Sequence, residues 1–280
     1  MIRFPLGVAT RCTLLGLLLQ GCVSVDSAPF PGTGAASSIT LSEADASMIG
    51  RKIWQNECGG TIEGLTSWNS GEDFPSLGIG HFIWYVPGRP GPFQESFPPL
   101  LAYMKERNVA MPAWLAEAKG CPWTSREQFI REQQSPRMKE LRQFLANTVS
   151  VQTGFIVRRL ELSLPQMEQA TPDPAERGQL RANFQLMTSS RNGLYALIDY
   201  VNFKGEGIKP EERYQGRGWG LRDVLIEMKP ASGSAAATTE FSEAAKRVLE
   251  RRVKNSPPQR GESRWLPGWL NRCDGYKRGL

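Results

Sequence analysis

The 280-residue sequence predicts an α+β fold that is mainly α-helical. Helical periodicity recurs along most of the chain from about residue 40 onward. Two short strand-like runs lie between residues 61 and 85, joined by the turn-forming segment Asn69–Asp73. The segment 194–201 is apolar on nearly every side, which is typical of a helix at the centre of a helical lobe. We therefore expect a first helix, a small β-hairpin and a larger helical lobe.

The first helix is expected to begin near residue 41 and to carry Glu57 at its end. Thr40–Glu43 fits a capping box, and Gly59-Gly60 supplies a sharp stop. The apolar residues Ala46, Ile49 and Ile53 recur at steps of three and four, and Glu57 is next in that row. The Glu57 side chain should therefore project from the buried face of the helix. Lost hydration there favours the protonated form that a general acid needs.

The hairpin carries the only histidine in the protein. Its second run reads Ser76-Leu-Gly-Ile-Gly-His81, and its turn carries two carboxylates, Glu72 and Asp73. Glu63 precedes the turn and is expected inside the first strand. The segment therefore places several acidic side chains close to Glu57 along the chain.

The remainder of the chain reads as the helical lobe. Met138, Leu141, Phe144 and Leu145 form one apolar stripe, which predicts core packing. The segment 230–239 is rich in Ala, Ser and Gly and predicts a flexible surface loop before a helix at about 240–254. Further helical patterns lie at about 94–107, 112–119, 124–133, 137–147, 150–162 and 174–190.

These segments resemble the phage-type lysozymes, glycoside hydrolase family 24, and their relatives in the lysozyme-like superfamily. In those proteins a helix ends in a catalytic glutamate, a hairpin carries a second carboxylate, and a strand reads Thr-Ile-Gly-Tyr/Ile-Gly-His, here residues 76–81. Residues 194–207 are similar to the family's buried helix Ala-Leu-Val-x-Phe-Ala-Phe-Asn-x-Gly, and 264–272 loosely resemble its Leu-Pro-Gly-Leu-x-x-Arg-Arg ending. The resemblance covers a minor part of the chain and implies a lysozyme-like fold with a catalytic helix.

The resemblance implies cleavage of β-1,4 bonds between MurNAc and GlcNAc in peptidoglycan, with Glu57 as general acid. Glu72 would stabilise the oxocarbenium-like charge or activate water, helped by Ser76, which replaces the family's threonine. The spacing from Glu72 to Ser76 is shorter than the family's, and Asp73 is more readily explained as a turn former. Glu63, followed by Gly-Leu as at the family's Glu-Gly-Leu, is the rival for the acid.

Five further side chains are candidate substrate contacts. By the resemblance, His81 is a hydrogen-bonding residue of the hairpin. Asn202 lies at the end of the buried helix, where it would contact substrate or cap the helix. The segment 214–221 alternates Gly with Arg and Trp, which fits either a glycan-cleft wall or a structural turn. Its candidate contacts are Gln215, Arg217 and Trp219.

Other functions fit the same residues. Without a second carboxylate, Glu57 would act as acid and then base in a lytic transglycosylase. A non-catalytic peptidoglycan-binding lipoprotein belongs to a different class, although the retained Glu57 and hairpin favour catalysis. An enzyme acting on another polysaccharide, such as chitin, would keep the same catalytic residues.

The N-terminus predicts export. Residues 1–21 carry two arginines and a short apolar run, as a signal peptide does. Leu-Gln-Gly-Cys22 resembles a bacterial lipobox, which implies lipidation of Cys22; a plain secretory signal is the alternative. The residue after Cys22 is Val23, which favours anchoring in the outer membrane, by resemblance to enterobacterial lipoproteins. Residues 22–39 predict a flexible tether, and 40–280 a lysozyme-like domain in the periplasm.

Composition limits the classes of partner that the protein is expected to bind. The formal charge of +6 falls to +4 once the two signal-peptide arginines are removed, which suits an anionic cell-wall or membrane surface and falls short of a nucleic-acid footprint. We expect a monomer whose partners are peptidoglycan and, through the lipid anchor, a membrane, with no nucleic acid. Without clustered Cys and His, neither a metal nor a cofactor is predicted. Cys58, Cys121 and Cys273 remain after export with their pairing open, and Cys58 as a nucleophile is disfavoured because only one histidine is present.

Overall fold

The computed structural model describes residues 39–91 and 93–280, and this part of the chain is mainly helical with two small antiparallel sheets. The predicted α+β, mainly α class is therefore confirmed. The predicted signal peptide, Cys22 and all of the predicted tether except Ile39 lie outside the described residues. Within the described ranges, no helix is both long enough and apolar enough to cross a membrane.

Helix α1 (Glu43–Cys58) presents Glu57 in its last turn. The capping prediction at Thr40 was wrong by two residues. The N-cap is Ser42, whose side chain accepts a hydrogen bond of 3.1 Å from the Asp45 amide. Ser42 and Asp45 offer the same capping chemistry as the predicted pair Thr40 and Glu43. Gly59 then adopts the left-handed conformation, φ 63°, that stops the helix. In the predicted inward row, Ala46, Ile49 and Ile53 are buried, whereas the fourth member, Glu57, is 19% exposed.

A three-stranded antiparallel meander follows α1, with strands Thr66–Ser67, Ser76–Leu77 and Phe82–Ile83, called β1 to β3. We call residues 68–75, which join β1 to β2, the first turn, and residues 78–81, which join β2 to β3, the second turn. The prediction of two strands joined by one turn missed the second turn. Glu63 begins a 3-10 turn (Glu63–Leu65), so its expected place inside a strand was wrong.

The next six helices lead away from the meander and return to α1. In α5 the predicted core stripe of four residues is buried. Helix α6 packs against α1 at Gly50, where a Cβ atom would lie 2.3 Å from the Thr153 hydroxyl, so only glycine allows this approach. The bounds are α2 Phe97–Glu106, α3 Ala113–Ala116, α4 Arg126–Arg131, α5 Pro136–Asn147, α6 Val149–Gln169 and α7 Pro174–Thr188.

The last part of the chain forms the helical lobe around α8 (Arg191–Lys204), whose residues 193–200 are all buried, as predicted. The loop predicted at 230–239 is confirmed only for residues 230–233, and its second half, with the three alanines 235–237, was wrong. These alanines, the best helix formers, belong to α10, which begins at Ser234. Three 3-10 turns occupy Pro210–Glu212, Pro258–Arg260 and Glu262–Arg264. The other elements are β4 Arg213–Tyr214, β5 Arg217–Gly218, α9 Leu221–Glu227, α10 Ser234–Asn255 and α11 Leu266–Arg278.

Candidate active site at the end of the first helix

Glu57 lies where α1, the second turn and α11 meet. Its Oε1 atom accepts a hydrogen bond of 2.5 Å from Nη2 of Arg272, and its Oε2 atom lies 3.8 Å from Nδ1 of His81. The Glu57 side chain is 19% exposed. The carboxylate is therefore fixed on one oxygen, less constrained on the other, and reachable from solvent.

The guanidinium that holds Glu57 is itself held by Asp199 of α8. Arg272 donates from Nε and Nη2 to the two Asp199 oxygens, each at 2.8 Å. Asp199 also accepts from the Tyr276 hydroxyl at 2.8 Å and the Asn56 amide at 3.0 Å, and is only 1% exposed. Two parallel charge-assisted bonds fix the plane of the guanidinium, so Arg272 presents Nη2 to Glu57 in one orientation.

Arg272 keeps its charge in this partly buried place. Burial lowers the pKa of the guanidinium, but the hydrogen bonds and charges of Asp199 and Glu57 outweigh burial and hold the pKa above its ordinary value. A permanently charged donor stabilises a carboxylate as an acceptor. Glu57 therefore has to release this bond, or keep it on one oxygen while the other carries a proton, to act as an acid.

His81 occupies the second turn with φ 48°, a strained value for a residue with a side chain. Its Nε2 atom lies 3.6 Å from the Cys58 sulfur, and that thiol donates weakly to the Gly78 carbonyl at 3.6 Å. The contact of Cys58 with the only histidine was not predicted, although that histidine was considered in weighing Cys58 as a nucleophile. Burial, followed by the charge of Glu57, raises the pKa of the Cys58 thiol to about 12, so it remains a thiol at neutral pH. This chemistry disfavours Cys58 as a nucleophile.

The expected second carboxylate lies at the other turn of the meander. Glu72 accepts from the Asn69 amide at 3.1 Å and is tied through its backbone carbonyl to the Trp68 indole at 2.7 Å. Glu57, by contrast, contacts the second turn. Among residues 39–91 and 93–280, no hydrogen bond or ion pair joins Glu72 or Asp73 to Glu57.

Ser76 lies in β2, the central strand, and is 6% exposed. It pairs with Ser67 on one side and Ile83 on the other, and its carbonyl accepts from the Ser67 hydroxyl at 3.4 Å. Within the described residues, its own hydroxyl makes no hydrogen bond to Glu57. Ser76 is thus near the predicted place but is not joined to the carboxylate.

The remaining predicted contacts separate into two groups. Asn202 is exposed and lies one turn beyond Asp199 on α8, on the same helical side. The others belong to the hairpin of β4 and β5, where Gln215 and Arg217 are exposed at the tip. Trp219 is only 7% exposed, and Tyr214 and Arg252 cover its ring, with Arg252 Cζ 4.1 Å from its centroid. Trp219 is therefore packed inside the protein, whereas Gln215 and Arg217 remain open to solvent at the tip.

A cavity of about 260 Å³ borders the Arg272 side of the site. It is open to solvent and predominantly basic. It is lined by Lys52, Asn56, Tyr195, Gly268, Asn271, Arg272, Gly275 and Arg278. A larger cavity of about 520 Å³ lies between the loop after β3 and α2, and Glu57 does not line it.

Sequence reasoning missed Arg272 and Asp199. Asp199 had a readable signal, because it is the one charged residue inside the apolar segment 194–201, and a buried carboxylate needs a partner. Arg272 ends the stretch 264–272 that loosely resembles the family's C-terminal motif, but nothing in that motif links it to Glu57, 215 positions away. The three cysteines whose pairing was open, Cys58, Cys121 and Cys273, are all free and buried among the described residues.

Comparison with known proteins assigns the chain to no family. No family model, curated protein or solved structure matches the chain.

Proposed function

We propose that this chain cleaves the glycan strands of peptidoglycan on a lysozyme-like fold, with Glu57 as the proton-transferring carboxyl group. The observation that carries the proposal is the environment of Glu57, fixed on one oxygen by Arg272 and 19% exposed. A general acid or base has to reach its substrate in a fixed orientation, and this carboxylate meets both conditions.

In the hydrolytic route, Glu57 gives its proton to the glycosidic oxygen while the bond to the sugar C1 breaks and positive charge develops on the ring. The carboxylate that remains accepts the hydrogen bond of Arg272, whose charge stabilises it. Water then attacks C1. Glu72, with Ser76, is the expected group that stabilises the ring charge or activates this water.

The positions of the carboxylates favour a second route, that of a lytic transglycosylase. Glu72 and Asp73 lie in the first turn, whereas Glu57 contacts the second. Glu57 alone would then protonate the glycosidic oxygen and afterwards take the proton of the C6 hydroxyl of the same MurNAc. The C6 oxygen closes on C1 as a 1,6-anhydro ring, and no water is consumed. Arg272 would keep its hydrogen bond to Glu57 Oε1 and so hold the carboxylate in place as the base.

The test uses the full chain in detergent, incubated with peptidoglycan sacculi in ¹⁸O-labelled water. Mass spectrometry identifies the released fragments for wild type, Glu57→Gln and the matched control Glu63→Gln, an exposed glutamate beyond the helix end. Reducing-end MurNAc carrying ¹⁸O, lost only in Glu57→Gln, indicates hydrolysis. Unlabelled 1,6-anhydro products indicate a transglycosylase.

Other outcomes contradict parts of the proposal. Loss of products in Glu63→Gln, with Glu57→Gln active, would transfer the acid role to Glu63. Binding to sacculi without any released fragment would leave a non-catalytic wall-binding protein. If the protein neither binds sacculi nor releases fragments from them, peptidoglycan is ruled out as the substrate.

We also propose that the protein is held in the periplasm by a lipid on Cys22. The lipobox-like Leu-Gln-Gly-Cys and the net charge of +6 support this setting. Incorporation of labelled palmitate that is lost in Cys22→Ser is the expected result; equal labelling of both chains would contradict it.

A further inference from the structure

A cluster of cations and aromatic rings adjoins the candidate active site through Phe203, whose ring Arg272 contacts. We call it the cation–aromatic cluster, and it consists of Phe203, Lys204, Trp219, Arg252 and Trp269. Lys204 Nζ lies 3.3 Å from the ring centroid of Trp269 and 4.0 Å from that of Phe203. Arg252 Cζ lies 4.1 Å from the centroid of Trp219 and 5.0 Å from that of Trp269. The Trp269 ring thus contacts both cations.

The two cations differ in their partners. Arg252 donates from Nε and Nη2 to the two oxygens of Glu262, at 2.8 and 2.9 Å, and Glu262 is 1% exposed. Lys204 is half-buried, and within the described residues its ammonium makes no hydrogen bond or ion pair. Its three N–H donors are met by aromatic faces and by solvent. Lys204 is therefore a positive group that has lost hydration and has gained no acceptor.

This ammonium is close to the proposed catalytic residue. Arg272 Cζ lies 4.4 Å from the centroid of Phe203, the same ring that Lys204 contacts. Arg272 in turn holds Glu57. A single phenyl ring therefore separates the guanidinium that positions Glu57 from the ammonium of Lys204.

We propose that Lys204 binds a carboxylate carried by the glycan, beside the bond that Glu57 cleaves. The inference rests on the proposed function and specifies its substrate class as an acid-substituted glycan. One ammonium with free donors can form a charge-assisted hydrogen bond with a carboxylate, whereas the neighbouring cation Arg252 is already occupied by Glu262. Trp265, 43% exposed and stacked near Trp269, offers an apolar face for the group that carries the acid.

Charge supports this assignment. Burial and then the charge of Arg252 lower the pKa of Lys204 to about 7, with Arg272 acting in the same direction and Glu262 and Cys273 opposing them. A bound carboxylate favours the ammonium form, so binding near pH 7.5 should take up a proton. As pH rises through the Lys204 pKa, the ammonium is lost and the preference for an acidic ligand should fall.

The experiment measures binding by calorimetry, using the full chain with Glu57→Gln so that the ligand is not consumed. The probes are a GlcNAc–MurNAc tetrasaccharide with free carboxyl groups and the same sugar with these groups as neutral methylamides. The variants are Lys204→Met, Lys204→Arg and the matched control Lys139→Met, an exposed lysine on α5. Thermal melts confirm that each variant is folded.

We expect the acidic sugar to bind about tenfold more tightly than the neutral one, as one charge-assisted hydrogen bond provides. This preference should vanish in Lys204→Met, persist in Lys139→Met and return in part in Lys204→Arg. The neutral sugar should bind all four proteins equally. Titrations in phosphate and Tris buffers should show proton uptake with the acidic sugar, which a purely structural lysine would not produce.

Four results would overturn the inference. Equal binding of both sugars to the Lys204-containing protein, or an undiminished preference in Lys204→Met, would remove Lys204 from recognition while leaving glycan cleavage intact. Lys204-dependent binding to phosphatidylglycerol vesicles, with no preference between the sugars, would assign the group to a membrane surface. If neither sugar binds and sacculi are not cleaved, the proposed function fails together with the inference.

Discussion

Two arginine–carboxylate clusters in this protein are built alike and differ in what they leave free. Glu262 is 1% exposed and accepts from Arg252 twice and from Tyr214, which gives both of its oxygens a partner. Arg272 likewise makes two bonds to Asp199, but its Nη2 atom also reaches Glu57, which stays 19% exposed. An arginine partner is therefore common to both carboxylates, and what distinguishes Glu57, the proposed catalytic group, is an oxygen with no hydrogen-bond partner in the described residues and access to solvent.

The largest expected effect separates the two clusters by activity. Glu57→Gln should reduce glycan cleavage at least a hundredfold, since a general acid–base contributes about 10²–10⁴-fold, while the melting temperature stays near wild type. Glu262→Gln should retain the activity of each folded molecule. Initial rates divided by the folded fraction from circular dichroism give this comparison, and equal loss in both variants would contradict it.

A second prediction concerns stability. Asp199→Asn and Glu262→Gln should each lower the free energy of unfolding by about 3–5 kcal/mol, because each leaves an arginine without its buried charged partner. Urea denaturation measures both. Only Asp199→Asn should also reduce cleavage, since it frees Arg272 to turn away from Glu57. A loss of activity in Glu262→Gln of the same size would mean that the two clusters act as one.

The third prediction uses acid. Burial raises the pKa of Glu262, but the hydrogen bonds from Arg252 and Tyr214 outweigh it and hold the pKa below the ordinary glutamate range. The stabilisation by Glu262 is thus fully present above a pH of about 4.3, the ordinary glutamate pKa, and is lost as pH falls through the lowered value. The stability difference between wild type and Glu262→Gln should narrow over that acidic range. A constant difference would rule out this linkage.

The smallest expected effects come from two matched hydroxyls. Tyr276→Phe removes a bond to Asp199, and Tyr214→Phe removes a bond to Glu262. Hydrogen bonds to charged groups contribute about 1.5–3 kcal/mol, and the fully buried Tyr276 should lie at the upper end. Unfolding curves for both variants check the order, and a larger cost for Tyr214→Phe would reverse it.

Periodicity in the sequence was enough to predict the place of Glu57. Three apolar residues spaced three and four apart determine which side of α1 faces inward, and Glu57 is the fourth member of this row. The stop at Gly59 and the burial of α8 follow from equally local rules. Local rules were less reliable where two solutions compete, as when Ser42 rather than Thr40 capped α1.

The partners of Glu57 were beyond this reasoning. Periodicity identifies the face of a helix and says nothing about which distant side chain meets it, and Arg272 is 215 positions away. The second turn escaped notice because Gly78 to His81 alternates like a strand, although His81 in fact takes a positive φ of 48°. Asp199 was visible as a charge in an apolar helix, but its partner was not.

The separation of Glu57 from Arg272 also bears on how the molecule is made. Glu57 and its hairpin leave the ribosome long before α11 does, so the carboxylate has no arginine partner during most of synthesis. A nascent chain that already contains α1 and the meander still lacks the group that orients Glu57. If the proposed chemistry holds, Glu57 takes its catalytic orientation only once α11 has docked.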